Sequence, residues 1–402
     1  MADADGPENP AVSRFREYLR INTMQPTPDY DAALAYLKKQ ADEIGLEFRV
    51  LESGVENRPI GLMTWKGTKP ELQAILLTSH MDVVPVFPDK WTHEPFSADK
   101  DDNGDIYARG SQDMKCVSSW YLEAIRRFKA EGRTFTRTIH LSFTSDEEIG
   151  SLPSKGFSES KAFKDLNIRF GLDEGIASPG NTMRVFYGER SIWWMKIKCE
   201  GQPGHASMFI ENTAAKKLQF IINKFLGFRD EQEKKFKANP NAGIGAVTTV
   251  NMTMLEGGVQ PNVVPAELSA TFDMRIPPTT DFAALKATIQ QWCEEAGTQV
   301  SVEFLVYGEN TEMVKISKDN PWWEAFSSAC KAVEIEIQPE IFPAGTDSRF
   351  FRKAGVDMIG FSPMNNTPIL LHDHDERLNE KVFLRGIDIY CGIIPALANL
   401  EV

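Results

Sequence analysis

Two stretches near the start of the chain, residues 12–20 and 30–45, carry apolar positions at helical spacing. The second shows Leu34, Leu37, Ala41 and Ile44 and ends at Gly45, a natural helix stop. Residues 74–77 and 105–108 predict short strands. Residues 114–130 predict an amphipathic helix with Val117, Trp120, Ala124, Ile125 and Phe128 on its apolar face, closed by Gly132. Further strands follow at 138–143 and 168–172. Alternation of this kind predicts an α/β fold, an α/β/α sandwich on a mainly parallel sheet. The texture changes after Tyr187. Residues 191–199 alternate aromatic and β-branched positions, 213–226 read as a helix, 248–255 and 266–275 as strands, 281–296 as a helix and 300–307 as a strand. That β-α-β-β-α-β order is ferredoxin-like. Residues 188–307 therefore predict an inserted α+β domain between two parts of the first domain, 1–187 and 308–402. The α/β texture returns with a helix at 322–333, the turn Gly345-Thr-Asp-Ser-Arg349, a strand at 358–361 and a closing helix at 380–397.

Residues capable of chemistry collect where the apolar runs of the first domain end. His80 and Asp82 follow one run; a strand alternates its side chains, so they project from one face with Cβ atoms about 6–7 Å apart. Asp113 sits in the turn Arg109-Gly-Ser-Gln-Asp-Met-Lys115. Glu147 and Glu148 follow Leu141-Ser-Phe143, Glu174 follows Phe170-Gly-Leu172, and His372 follows Ile369-Leu-Leu371. Each has an ordinary explanation when taken alone: a solvated loop pair, a helix-capping Asp, an acidic turn. Their recurrence after successive strands points instead to the carboxyl edge of an open α/β sheet, where ligands bind. Neighbours in extended backbone point in opposite directions, so Glu147 and Glu148 can divide two tasks, one binding metal and the other facing substrate as a base.

The 402 residues are long for one hydrophobic core and suggest two domains. With 42% hydrophobic and 25% charged residues the composition is that of a soluble globular protein. A net charge of −13 argues against a nucleic-acid partner. Five cysteines, odd in number and without a Cys-x-x-Cys, read as the reduced thiols of a cytoplasmic chain. The first ten residues, from Met1 to Pro10, are acidic and lack the basic and apolar regions of a signal peptide. No run approaches the ~18–20 apolar residues of a membrane span. No Gly-x-Gly-x-x-Gly follows a strand, which speaks against a nicotinamide enzyme.

Two histidines and three or four carboxylates with no cysteine suit Zn²⁺, with Mn²⁺ or Co²⁺ as substitutes. A carboxylate bridging two metals holds them about 3.5–4 Å apart, close enough to activate one water. With a glutamate to take the proton and return it to a leaving amine, the expected reaction is hydrolysis of an amide bond.

The segments Ser79-His-Met-Asp-Val-Val-Pro85, Tyr107-Ala-Arg-Gly-Ser-Gln-Asp-Met-Lys115, Asp146-Glu-Glu148, Leu172-Asp-Glu-Gly175 and Leu371-His-Asp-His-Asp-Glu376 resemble, in order and spacing, the co-catalytic zinc aminoacylase and carboxypeptidase family. The resemblance runs essentially end to end. It implies two zinc ions per subunit, with Asp113 bridging, Glu174 joining His80 and Glu148 joining His372. It makes Glu147 the general acid/base and Asp82 the carboxylate that orients the His80 ring. It also implies a homodimer in which the inserted domain serves as dimerisation or lid domain. There His205, of Gly201-Gln-Pro-Gly-His-Ala-Ser207, would reach from the partner subunit to the tetrahedral oxyanion. Asn262, Arg275 and Arg349 become candidates for the substrate carboxylate, which a guanidinium matches bidentately; ordinary surface ion pairs are the alternative for the arginines. The substrates implied are N-acyl, chiefly N-acetyl, L-amino acids. A dipeptidase or carboxypeptidase with the same centre stays open, as does a non-catalytic homologue, although Glu147 and every ligand are present. His93 and His140 read as structural and His374 as a neighbour of the site. Trp193, Trp194, Trp322 and Trp323 read as core or interface residues, and residues 231–237 as a solvated helical face.

Overall fold

The computed structural model describes residues 7–402; the first six residues of the acidic N-terminal stretch lie outside the described residues. The chain divides into two compact units. One takes the chain up to Tyr187 with Val314–Pro339 and Thr346–Val402, and the other Gly188–Met313 with Glu340–Gly345.

An eight-stranded sheet organises the first unit, in the order Glu47–Glu52, Pro59–Trp65, Ile139–Thr144, Ala74–His80, Ile168–Asp173, Asp357–Phe361, Met183–Glu189, Ile337–Phe342. Its centre is parallel: Ala74–His80 lies between Ile139–Thr144 and Ile168–Asp173, and Asp357–Phe361 continues beyond. Antiparallel pairs flank that centre. Every residue of Ala74–His80 is buried, which is why it reads as a continuous apolar run rather than an alternating one. The strands Glu47–Glu52 and Pro59–Trp65 add to those expected from the sequence, the second apolar and mostly buried. The outer one is charged and mostly exposed, the composition that keeps an edge strand from pairing with other chains.

The helix Lys115–Ala130 buries Val117, Trp120, Ala124, Ile125 and Phe128, as its apolar period dictates. The Trp120 indole donates to the Phe383 carbonyl at 2.7 Å, tying this helix to Glu380–Ala398. Truncating such a buried Trp to Ala costs about 3–5 kcal/mol. Trp322 and Trp323 are buried in the same unit.

The second unit is an antiparallel four-stranded sheet in the order Thr249–Gly257, Glu267–Ile276, Ser191–Glu200, Val300–Tyr307. With the helices Ala214–Ala238 and Phe282–Ala296 this is the ferredoxin-like arrangement. Trp193, Met195, Ile197 and Cys199 alternate into its core, and Phe225 stacks on Phe272 with ring centroids 4.0 Å apart. Trp194 points the other way and donates its indole N–H to Asp273 at 2.7 Å. The first helix runs twelve residues beyond the expected end at 226, to Ala238. Its charged extension buries almost nothing and is supported by Glu233 pairing with Arg229 and Lys237 at helical spacing.

Candidate metal centre

Parallel strands bring His80 and Glu174 to the same edge of the sheet. Close approach there depends on a glycine: a Cβ on Gly360 would stand 2.4 Å from the Glu174 carbonyl oxygen. Asp113 arrives from the loop ahead of Lys115–Ala130, and the peptide after it is cis. Glu147 and Glu148 form a 3-10 turn after Ile139–Thr144. His372 comes from the irregular segment between Phe361 and Arg377.

These side chains meet around Asp113. The Nε2 of His80 lies 3.0 Å from Asp113 Oδ1 and 3.7 Å from Glu174 Oε2. The Nε2 of His372 lies 3.2 Å from Asp113 Oδ2 and 3.1 Å from Glu148 Oε2. One carboxylate thus offers an oxygen to each of two histidine–glutamate sets. Ligand atoms of His80, Asp113 and Glu148 all lie within 4.8 Å of one another, as do those of His80, Glu147 and Glu174.

These groups shift one another's protonation strongly. Burial and the Glu174 charge hold Glu147 well above the usual carboxylate range, and burial and the Asp113 charge do the same for Glu174. Burial, then Asp113, pushes Glu148 up to about 7. Asp113 moves the other way. Burial alone would raise it, but hydrogen bonds from His372 and His80 hold it well below the ordinary value. Hydrogen bonds to Asp113 and Glu148 push His372 up to about 10. His80 rises as well, the charges of Glu174 and Asp113 outweighing its burial. Four carboxyl groups and two imidazoles out of water thus hold protons that limit their charge, and bound divalent ions would take the place of those protons.

His80 is oriented by Asp82, though through a different atom from the one expected. The ring Nδ1 meets the main-chain carbonyl of Asp82 at 2.8 Å, whereas the nearest carboxylate oxygen is 3.7 Å away. The carboxylate instead accepts the backbone N–H groups of Glu147 and Glu148 at 3.1 and 3.2 Å and the Gln25 amide at 2.8 Å. Just before those glutamates, Asp146 takes a left-handed backbone conformation with φ of 57°. Its carboxylate accepts from the Tyr30 hydroxyl at 2.7 Å and the Gln25 amide at 2.9 Å, and pairs with Arg58. Gln25, Tyr30 and Arg58 carry no signal in the sequence because they lie far from the motif they support. Asp146 is visible only as the first letter of an acidic turn.

The remaining candidates are distributed differently. Arg349 donates to the Gly150 carbonyl at 3.1 Å and the Ser151 hydroxyl at 3.0 Å, on the loop after Glu148. His205 and Asn262 belong to the second unit; His205 lies on a short two-stranded ribbon with Val263–Val264, and Asn262, just before that strand, accepts the Ala206 N–H through its carbonyl at 3.0 Å. Both are exposed. Arg275 forms a bidentate pair with Asp273 at 2.7 and 2.9 Å. Of the other histidines, His140 sits in the strand Ile139–Thr144 beside the Thr64 hydroxyl, where burial pushes it down to about 4. His93 stacks on Tyr107 and His374 meets the edge of Phe87.

A sheet-edge cluster in which one carboxylate joins two histidine–glutamate sets is the architecture of a metallopeptidase, and the chain belongs to Peptidase family M20/M25/M40, which it matches over residues 76–396. Its likeness to known members is close along its whole length. It is 52% identical over 396 residues to aminoacylase-1 of Mus musculus, covering 98% of this chain and 96% of the relative. Among solved structures it shares its fold with an M20 family metallo-carboxypeptidase from Sulfolobus solfataricus. That match has a TM-score of 0.74 and 18% identity, covering 97% and 99% of the two chains. It also resembles a dinuclear metal binding peptidase of the M20 family from Bacillus subtilis, with a TM-score of 0.68 and 13% identity over 96% and 98%. Among the described residues, no helix is long and apolar enough to cross a membrane.

Proposed function

We propose that this chain is a two-metal amidohydrolase that splits N-acyl-L-amino acids, chiefly N-acetyl ones, into a carboxylate and a free L-amino acid. The observation that carries the reading is the Asp113 carboxylate, with one oxygen at the His80 ring and the other at the His372 ring. The full-length likeness to aminoacylase-1 supplies the substrate class. Zn²⁺ fits the donors: imidazole nitrogens and carboxylates, with no thiolate. Asp113 would hold both ions, His80 and Glu174 one, and His372 and Glu148 the other. Such a pair, when bound, would supply a water of pKa lowered toward ~7 and polarisation of the acyl carbonyl.

The protein's own groups handle the proton. Glu147, whose carboxyl burial and Glu174 hold well above its ordinary value, takes the proton of the attacking water and returns it to the leaving amine nitrogen. Asp82 keeps Glu147 in place through its backbone N–H. In this reading the second unit is the dimerisation or lid domain. The chain acts as a homodimer in which an exposed His205 reaches the partner's site to stabilise the oxyanion. Asn262, Arg275 and Arg349 are the candidates for the substrate carboxylate, Arg275 by giving up its bidentate pair with Asp273. Five free cysteines, four of them buried, suit a reducing cytoplasm.

The test is turnover of N-acetyl-methionine and of a dipeptide panel by protein carrying two zincs, before and after chelation. Rapid, chelator-sensitive release of methionine is the expected result. Intact N-acetyl-methionine beside rapid dipeptide cleavage would refute the proposal.

A further inference from the structure

The loop of Asp113 and the segment of His372 are far apart in sequence, yet non-ligand side chains stitch them together. Glu376 is fully buried. Its carboxylate accepts from Arg109 Nη1 at 2.7 Å, from the Gly110 N–H at 3.0 Å, from the Gln112 N–H at 2.6 Å and from the Asp113 N–H at 3.2 Å. Gln112 answers from the other side. Its amide nitrogen donates to the carbonyls of Pro368 and Arg377 at 3.0 and 2.8 Å, and its amide oxygen accepts the Leu370 N–H at 3.1 Å. The two side chains thus span the gap in opposite directions, with His372 inside the segment that Gln112 clasps.

This segment needs such a clasp. Between Phe361 and Arg377 it forms neither helix nor strand, and His372 and Asp375 take left-handed backbone conformations with φ of 61° and 51°. Non-glycine residues hold that conformation only where surrounding contacts fix it. The Glu376 carboxylate meets four donors converging from one loop, and charge-assisted bonds to N–H groups are among the strongest available. Arg109 balances its charge and lies against the Trp91 ring, 5.3 Å from its centroid.

We propose that Glu376 and Gln112 form a positioning latch that sets the spacing of Asp113 and His372, so that the metal held by Asp113, His372 and Glu148 depends on it more than the metal held by Asp113, His80 and Glu174. The proposal rests on the two-metal reading above. A carboxylate that supports a ligand from outside the coordination sphere typically contributes 10–100-fold to metal affinity. That range is the expected loss here, and it should fall chiefly on one equivalent of metal.

The experiment is calorimetric titration of metal-free protein with Zn²⁺, together with Co²⁺ absorption spectra, for wild type, Gln112→Ala and Glu376→Gln. Gln112→Ala leaves the Arg109–Glu376 pair intact. It should keep the wild-type circular dichroism and one wild-type affinity, while the other affinity falls about 10–100-fold and one of two Co²⁺ bands changes. Excess metal should restore kcat with KM unchanged. Glu376→Gln should weaken the same equivalent further; if it does not fold, Gln112→Ala decides alone. Two wild-type affinities in Gln112→Ala, or equal weakening of both, would overturn the latch. A wild-type chain that takes up fewer than two equivalents would overturn the two-metal reading, and the latch with it.

Discussion

His80 and Glu174 grow out of neighbouring parallel strands, whereas Glu148 and His372 stand on loops, and the two halves of the cluster are accordingly held by different forces. Strand pairing of Ala74–His80 with Ile168–Asp173 fixes the first half through backbone hydrogen bonds, and the His80 side chain is only 1% exposed. The second half relies on side chains. His372 is 51% exposed, and left-handed residues at 146, 151, 372 and 375 shape its loops. Such conformations cost about 1–3 kcal/mol each unless their surroundings compensate. Asp82, Asp146 and Glu376 supply that compensation by accepting hydrogen bonds from backbone or side chains. A site can therefore be rigid for two unrelated reasons, and its halves should fail under different perturbations.

The largest effect belongs to Glu147, the proposed general acid/base. Glu147→Ala should retain two metals and lose about 10²–10⁴-fold in kcat; unchanged turnover would remove it from the mechanism. The comparison itself is sharpened by stepwise chelation. Metal should leave in two phases, the loop-held equivalent first. His372→Ala should abolish the early phase and His80→Ala the late one; a single phase in wild type would mean the halves are equivalent.

Acid should separate the metal-free from the loaded state. In the metal-free chain the pKa values of His372, up to about 10, and Glu148, up to about 7, exceed their unfolded values. At these two groups the folded chain thus binds more protons than the unfolded one. For His372 this stabilisation is complete below its unfolded pKa and is lost as pH rises through about 10. For Glu148 it is lost as pH rises through about 7. Metal must displace those protons, so its affinity should grow with pH, about tenfold per unit for each proton released. The rise in melting temperature on adding Zn²⁺ should accordingly be larger at pH 8 than at pH 6. No difference would show that the loop-borne ligands bind no proton.

The smallest effects concern the arginines. A charged hydrogen bond contributes about 1.5–3 kcal/mol, so Arg349→Ala and Arg275→Ala should each raise KM by roughly tenfold or more while kcat changes little. An unchanged KM would drop that residue from substrate binding.

Much of this was legible in the chain before any coordinates. Buried strands announced themselves as apolar runs, and the helix 115–130 as a stripe from Val117 to Phe128. His80, Glu147, Glu148 and Glu174 stood where such runs end, whereas Asp113 stood in a turn that opens a helix, and the apolar residues 369–371 ahead of His372 form a partly exposed loop rather than a buried strand. These are short-range signals, because side-chain alternation and helical period are local properties of the backbone. Other elements fell outside that reach. The edge strand Glu47–Glu52 is charged and mostly exposed, with no continuous apolar run, and the outer half of Ala214–Ala238 is held by surface ion pairs rather than burial.

What the sequence determined by itself was the α/β architecture with its ferredoxin-like insert and the set of groups gathered at one sheet edge. Only the tertiary structure decided how that set is held. It placed the Asp82 carboxylate beneath the Glu147–Glu148 turn instead of against the His80 ring. It also joined Glu376 to a loop 263 residues earlier in the chain. A hydrogen bond across such a distance leaves no periodic trace in the sequence, because its partners become neighbours only when the strands between them have packed.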